Sequence, residues 1–336
     1  MSFKRFDPED IALSAESIVA PAWSNQATKL STNIASGSQA NLASADYYYN
    51  MYAASEGGIG TGDVQFAVAY GNRKGSGSLS FSTSEVGKSP SSVIYGQYRT
   101  LINGDEDTDF TFGSGTPTPD SVYIISVNRG RFKEKLLPGS FELTLTSGSN
   151  TITLIDNSTA LSTISYADAG RVYDIVSGSL GNIITNPAFT AASGSYGKMY
   201  PDVGVFVFNA NALRDSTFGI NLDTLETSNT YGTNISTFAS AITAGSNFTL
   251  RSEETITSNY VFVRVRNSEF NYSTNPSNIT GSGELRHNVM VNTPQAYMTA
   301  IGLYNDNNDL LGVAKLSKPL LKDFTKEALI RIKLDF

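Results

Sequence analysis

The run Gly87-Lys88-Ser89 has the spelling with which a phosphate-binding loop ends, so nucleotide chemistry is the first candidate. Such a loop wraps phosphate oxygens in backbone N–H groups and needs a glycine five residues ahead of Gly87. That position is Ser82, the residues before it are not glycine-rich, and Pro90 removes an N–H beside the phosphate. Ser89 before Pro90 reads instead as a helix start: a hydroxyl N-cap, then a residue whose missing N–H costs nothing at the first helical position. In the acidic run Asp105 to Phe110, carboxylates alternate at Asp105, Asp107 and Asp109 as in a calcium loop. An EF-hand needs glycine at its sixth position and glutamate at its twelfth, and these are Phe110 and Thr116. A solvated acidic turn is the plainer reading. A divalent-cation site of another kind on the three aspartates is the alternative.

His287 is the only histidine and there are no cysteines. A histidine-rich zinc site and a Cys–His nucleophilic pair are therefore excluded. A Ser-His-Asp triad would have to run through His287, in the strand-like stretch Gly283 to Val291, and no G-x-S-x-G elbow accompanies it. Carboxylate pairs for glycoside hydrolysis are set by the fold rather than by sequence spacing, and no two carboxylates are singled out. No catalytic residue and no cofactor is implied.

Two runs suit protein contacts. Arg129, Arg131, Lys133 and Lys135 alternate with Gly130, Phe132, Glu134 and Leu136. On a strand they form a basic row that fits an acidic neighbouring subunit, or a solvated edge guarded by its charges. The aromatic run Tyr47, Tyr48 and Tyr49, with Tyr52, is either an interface or internal core.

The elements that must position these residues are mostly strands. Charged residues are 16% of the 336, against about 25% in an average domain, and Gly, Ser, Thr and Asn fill the gap. That balance predicts a mainly β protein of antiparallel, sandwich-like domains, with few helices. Val64, Phe66, Val68 and Tyr70 alternate with Gln65, Ala67 and Ala69, which predicts a half-buried strand. Phe141, Leu143 and Leu145 against Ile152 and Leu154 predict a hairpin with a Gly/Ser/Asn tip. A second hairpin turns between Asn305 and Asp309, and Ala328 to Phe336 alternates as a closing strand. The one notable helix is expected over residues 90–102, with Val93, Ile94, Gln97, Tyr98 and Leu101 on its inner face and a stop at Asn103-Gly104. A Ser/Thr/Asn/Gly-rich middle marks 151–240 as an inserted β domain within a discontinuous core of 1–150 plus 241–336.

Net charge is −7, without the basic clusters that a nucleic-acid backbone or an anionic membrane attracts. No stretch approaches the ~20 apolar residues of a membrane-spanning helix, and the N-terminus lacks a secretory h-region.

Several long blocks carry a more specific likeness. "FKRFDPEDIALSAESIVAPAW", "DVQFAVAYGNRKGSGS", "GKSPSSVIYGQYRTLINGDEDTDFTF", "RFKEKLLPGSFELTL" and the closing "YNDNNDLLGVAKLSKPLLKDFTKEALIRIKLDF" resemble a family of virion structural proteins. These belong to T4-like contractile-tailed phages of marine cyanobacteria and related bacteria. The likeness spans both ends and much of the first half; around Ser158 to Ser240 it is one of composition only. It implies a non-enzymatic tail or baseplate (wedge-type) component, made in the host bacterial cytoplasm and resident in the virion. Its partners would be other tail or baseplate proteins in a homo- or hetero-oligomer, without nucleic acid or membrane. A neck, capsid-decorating or fibre-attachment protein, or a glycan-binding receptor module, is the alternative.

Overall fold

The computed structural model describes residues 3–30, 33–38, 48–57, 61–77, 89–113, 118–180, 182–183, 194–226 and 233–335. In chain order, β1 (Ile11–Pro21), β2 (Lys29–Leu30), β3 (Asn33–Ser38), β4 (Tyr48–Ala53) and β5 (Val64–Asn72) precede α1 (Pro90–Asn103). Then come β6 (Ser121–Val127), β7 (Lys135–Leu136), β8 (Glu142–Ser147), β9 (Asn150–Asp156), β10 (Ser165–Ala167) and β11 (Gly170–Ser179). β12 (Asn182–Ile183), β13 (Gly197–Tyr200) and β14 (Val205–Asn209) lead to α2 (Ala210–Arg214) and α3 (Thr233–Gly245). The chain closes with β15 (Asn247–Thr249), β16 (Arg251–Val265), α4 (Val289–Asn292), β17 (Ala296–Tyr304), β18 (Leu310–Lys322) and β19 (Ala328–Asp335). The fold is mainly β and antiparallel, as the composition predicts.

Two compact units divide the chain: Ile18–Glu254, and Met1–Ser17 with Thr255–Phe336. These limits differ from the expected ones. Strands β9, β11, β13 and β14, from within 151–240, lie in one sheet with β5, β6 and β8, so the middle segment is no separate domain.

In the 18–254 unit the sheet runs β2-β15-β8-β9-β11-β13-β14-β6-β5-β4-β3 and curls into a nearly closed barrel. Its two ends approach through side chains: Phe248 of β15 packs edge-on against Phe66 of β5 with ring centroids 5.0 Å apart, and Trp23 lies 4.7 Å from Phe248. Helix α3 packs on β8 and on β3, β4 and β5, and buries Ile235, Phe238 and Ile242. The β8–β9 hairpin has the expected register, Leu143 opposite Leu154 and Leu145 opposite Ile152. β5 is buried on both faces rather than one, because α1 covers the face opposite the barrel core.

α1 spans the expected residues and ends at Gly104, whose φ of 74° is left-handed and whose N–H donates to the Thr100 carbonyl. Its inner face is only partly the expected one: Ile94 and Tyr98 pack against the sheet, but the buried residues are Ser91, Tyr95 and Ile102, whereas Val93, Gln97 and Leu101 are exposed. Gly71 on β5 decides this. A Cβ there would stand 3.1 Å from the Tyr95 backbone, so the helix rests on β5 through the Tyr95 side. Ser89 occupies the N-cap position, but its hydroxyl donates to the Gly75 carbonyl instead of capping the helix.

In the second unit, Ser258–Val265 of β16 pairs with β19, and β1 lies on β16's other edge. Alternation in β19 is as expected: Ala328 and Ile332 are buried, Leu329, Arg331, Lys333 and Asp335 exposed. Among the described residues β17 and β18 form a sheet of two strands only. Their turn is held by Asn305, whose N–H donates to the Asp309 carbonyl and whose Oδ1 accepts from the Asp309 N–H. At the end of β18, fully buried Lys322 donates to the carbonyls of Asn267 and Asp323 and to Asn271 Oδ1. All three ammonium donors are thereby used.

Candidate interaction surface

The residues that sequence reasoning picked for chemistry are occupied in holding the fold. Gly87 and Lys88 lie outside the described residues. Asp105 turns its carboxylate inward on its own loop, accepting from the N–H groups of Thr108 and Asp107 and from the Thr108 hydroxyl, which holds it below its ordinary value. Asp109 accepts from Arg73, from Arg99 and from the Tyr95 hydroxyl. Asp107 is exposed beside them. Two arginines aimed at Asp109 occupy the space a cation would need, and no metal-holding group of three side chains occurs among the described residues. Burial pushes the Tyr95 phenol up to about 12. His287 is exposed in irregular chain just before α4 and is not on a strand.

The basic run is not a strand either. Arg129–Arg131 is a single 3-10 turn, because the Asn128 side chain accepts from the Gly130 N–H and curls the backbone. The four cations point apart. Arg129 lies over the Phe132 ring, Arg131 bonds Asp63 at 3.2 Å, Lys133 bonds Glu254 at 2.7 Å, and Lys135, on β7, stands near Glu134 and Glu253. No basic row is left for a neighbouring subunit.

The tyrosines divide between two faces. Tyr49 packs with the barrel core and Tyr48 with the α1 side of the sheet; Tyr52 is half-buried, and Tyr47 lies outside the described residues. Tyr48 lines an apolar cavity of about 470 Å³ with Ala67, Ala69, Val93, Ile94 and Tyr98.

The surface without an internal use lies in the other unit, and sequence reasoning did not select it. Among the described residues only Val261, Val265, Ala328 and Ile332 are buried hydrophobics there. Far more are exposed, Leu13 (75%), Val289 (71%), Leu311 (71%) and Tyr297 (67%) among them. On the β17–β18 ribbon, Gly302 opposes Val313 and Tyr304 opposes Leu310, so these share one face, where Val313 and Leu310 are more than half exposed. The signal was present as the double-apolar spelling Leu310-Leu311, which alternation alone does not explain.

These features define a mainly antiparallel β protein with one well-packed barrel-like unit and one sparsely packed unit. Comparison of the chain with family models, with curated proteins and with solved structures returned no match. Among the described residues no helix is long and apolar enough to cross a membrane.

Proposed function

We propose that the chain is a non-enzymatic virion structural protein of a contractile-tailed bacteriophage, a tail or baseplate component acting through permanent protein–protein interfaces. The observation that carries this reading is the imbalance in the unit formed by 1–17 and 255–336, where among the described residues four buried hydrophobic side chains face a much larger exposed apolar set. A unit so poor in core gains little from its own burial, and apolar area of this kind marks a surface that is covered in an assembly. A two-stranded sheet is likewise marginal in water until something pads it. The phage resemblance of the terminal blocks, which contribute most of this unit, supplies the kind of assembly. Localisation of the tagged chain in intact particles by cryo-EM tests the reading, with co-purification from disrupted tails. Density in the tail or baseplate is expected. Its absence from particles, or its presence only on the capsid, neck or fibre joint, would overturn the assignment.

A further inference from the structure

A lysine is almost never fully buried unless a charged group pairs with it. Lys322, the last residue of β18, is 0% exposed, and among the described residues it makes no ion pair. Its Nζ donates to three neutral oxygens: the carbonyls of Asn267 and Asp323, both at 2.9 Å, and Asn271 Oδ1 at 2.7 Å. The neighbouring Asp323 carboxylate is turned to the N–H and hydroxyl of Thr325. An ammonium taken out of water with no carboxylate beside it carries a desolvation cost that neutral oxygens offset only in part.

Against this buried amine lies a buried amide. Asn271 is 4% exposed, and its partners fix which way it points. Nδ2 donates to the Asn267 carbonyl at 2.7 Å, which leaves Oδ1 to accept from Lys322. The Asn271 Cγ is one bond beyond Oδ1, so Nζ stands beside an acyl carbon that carries an amino leaving group. The Asn267 carbonyl accepts from both nitrogens and so holds the nucleophile and the leaving group at one oxygen. Fixed proximity and orientation of this kind turn a slow reaction between separate molecules into a unimolecular one.

The unit has a structural use for such a bond. Among the described residues it buries four hydrophobic side chains, and the chain has no cysteine, so no disulfide can staple it.

We propose that Lys322 and Asn271 become joined by an intramolecular amide. Nζ attacks Cγ, the Nζ–Cγ bond forms and the Cγ–Nδ2 bond breaks. The departing nitrogen takes both protons that Nζ gives up and leaves as ammonium, so no other reactant is consumed. The product is neutral, which removes the buried charge. It ties the end of β18 to the loop after β16, across 51 residues of sequence. The bond forms on folding, whatever assembly the chain enters, and so stands apart from the virion reading.

Intact-mass spectrometry of the purified, folded full chain tests it. Wild type is expected one ammonia lighter than its sequence mass. A protease digest read by tandem mass spectrometry is expected to contain a branched peptide joining Lys322 to Asn271. Lys322→Arg and Asn271→Ala are each expected at full sequence mass, with a lower urea midpoint than wild type. Wild type at its full sequence mass after prolonged incubation in the folded state would overturn the bond. So would an ammonia loss that maps elsewhere, such as a succinimide at Asn103-Gly104. The wild-type peptide map decides the matter even where neither variant folds.

Discussion

Replacing Phe248 by alanine tests whether the barrel is closed by side chains across its seam. Phe248 is fully buried and its ring meets Trp23 at 4.7 Å, Phe66 at 5.0 Å, Phe141 at 6.0 Å and Phe206 at 6.1 Å. β15 and β5 are far apart in the strand order, so these contacts exist only if the sheet curls back on itself. A buried Phe→Ala change costs about 3–5 kcal/mol from lost transfer energy and the cavity left behind. For a unit of this size that corresponds to roughly 6–20 °C in Tm. The chain has one tryptophan, Trp23, which is buried and donates its indole N–H to the Phe248 carbonyl at 2.7 Å. Its fluorescence therefore reports on the seam during urea unfolding. F66A and F248A together are expected to show a coupling of about 0.5–1.5 kcal/mol, the usual worth of an aromatic pair. Phe324→Ala, 55% exposed, serves as control and is expected within about 0.5 kcal/mol of wild type. A cost for F248A no larger than the control's, or no coupling to F66A, would refute a closed seam.

Other outcomes follow from the same structure. Gly71→Val is expected to lift α1 from β5 and cost about 1–3 kcal/mol, read as a lower urea midpoint, since its side chain meets the Tyr95 backbone. Burial works against the charges of Asp120 and Asp202, yet hydrogen bonds from Lys74 and Arg73, and from Arg171, hold both below the ordinary 3.8. Depressed carboxylates add stability above their unfolded-state value and lose it as pH falls through the folded one, so midpoints should drop below about pH 4. Asp202→Asn is expected to lower the neutral-pH midpoint and flatten that acid limb. Calorimetric titration with Ca²⁺ is expected to give no binding heat at Asp105 and Asp109, whose oxygens already serve Thr108, Arg73 and Arg99.

What could be read in the sequence was whatever local spacing enforces. The Leu143/Leu145 hairpin, the one-sided β19 and the span of α1 all appear, because alternation, turn chemistry and a Ser-Pro start act over a few residues. The same locality explains the misreadings. Arg129 to Lys135 alternate on paper, but the Asn128 side chain and Gly130 turn the backbone, and each cation finds a partner close by or far along the chain, at Asp63 or Glu254.

Periodicity found Ile94 and Tyr98 on α1's inner face but added Val93 and Leu101, whereas contact with Gly71, distant in sequence, turned the helix toward Tyr95. The open edge of β18 was not legible either, although the hairpin was. An edge is the absence of a third strand, and pairing partners are set by topology rather than by the residues of the strand itself. The sequence by itself determined the strands and turns that local alternation and turn chemistry enforce. Only the tertiary structure decided that β18 keeps one edge unpaired among the described residues while Arg129 to Lys135 are spent internally, because burial and pairing depend on residues brought together from across the chain.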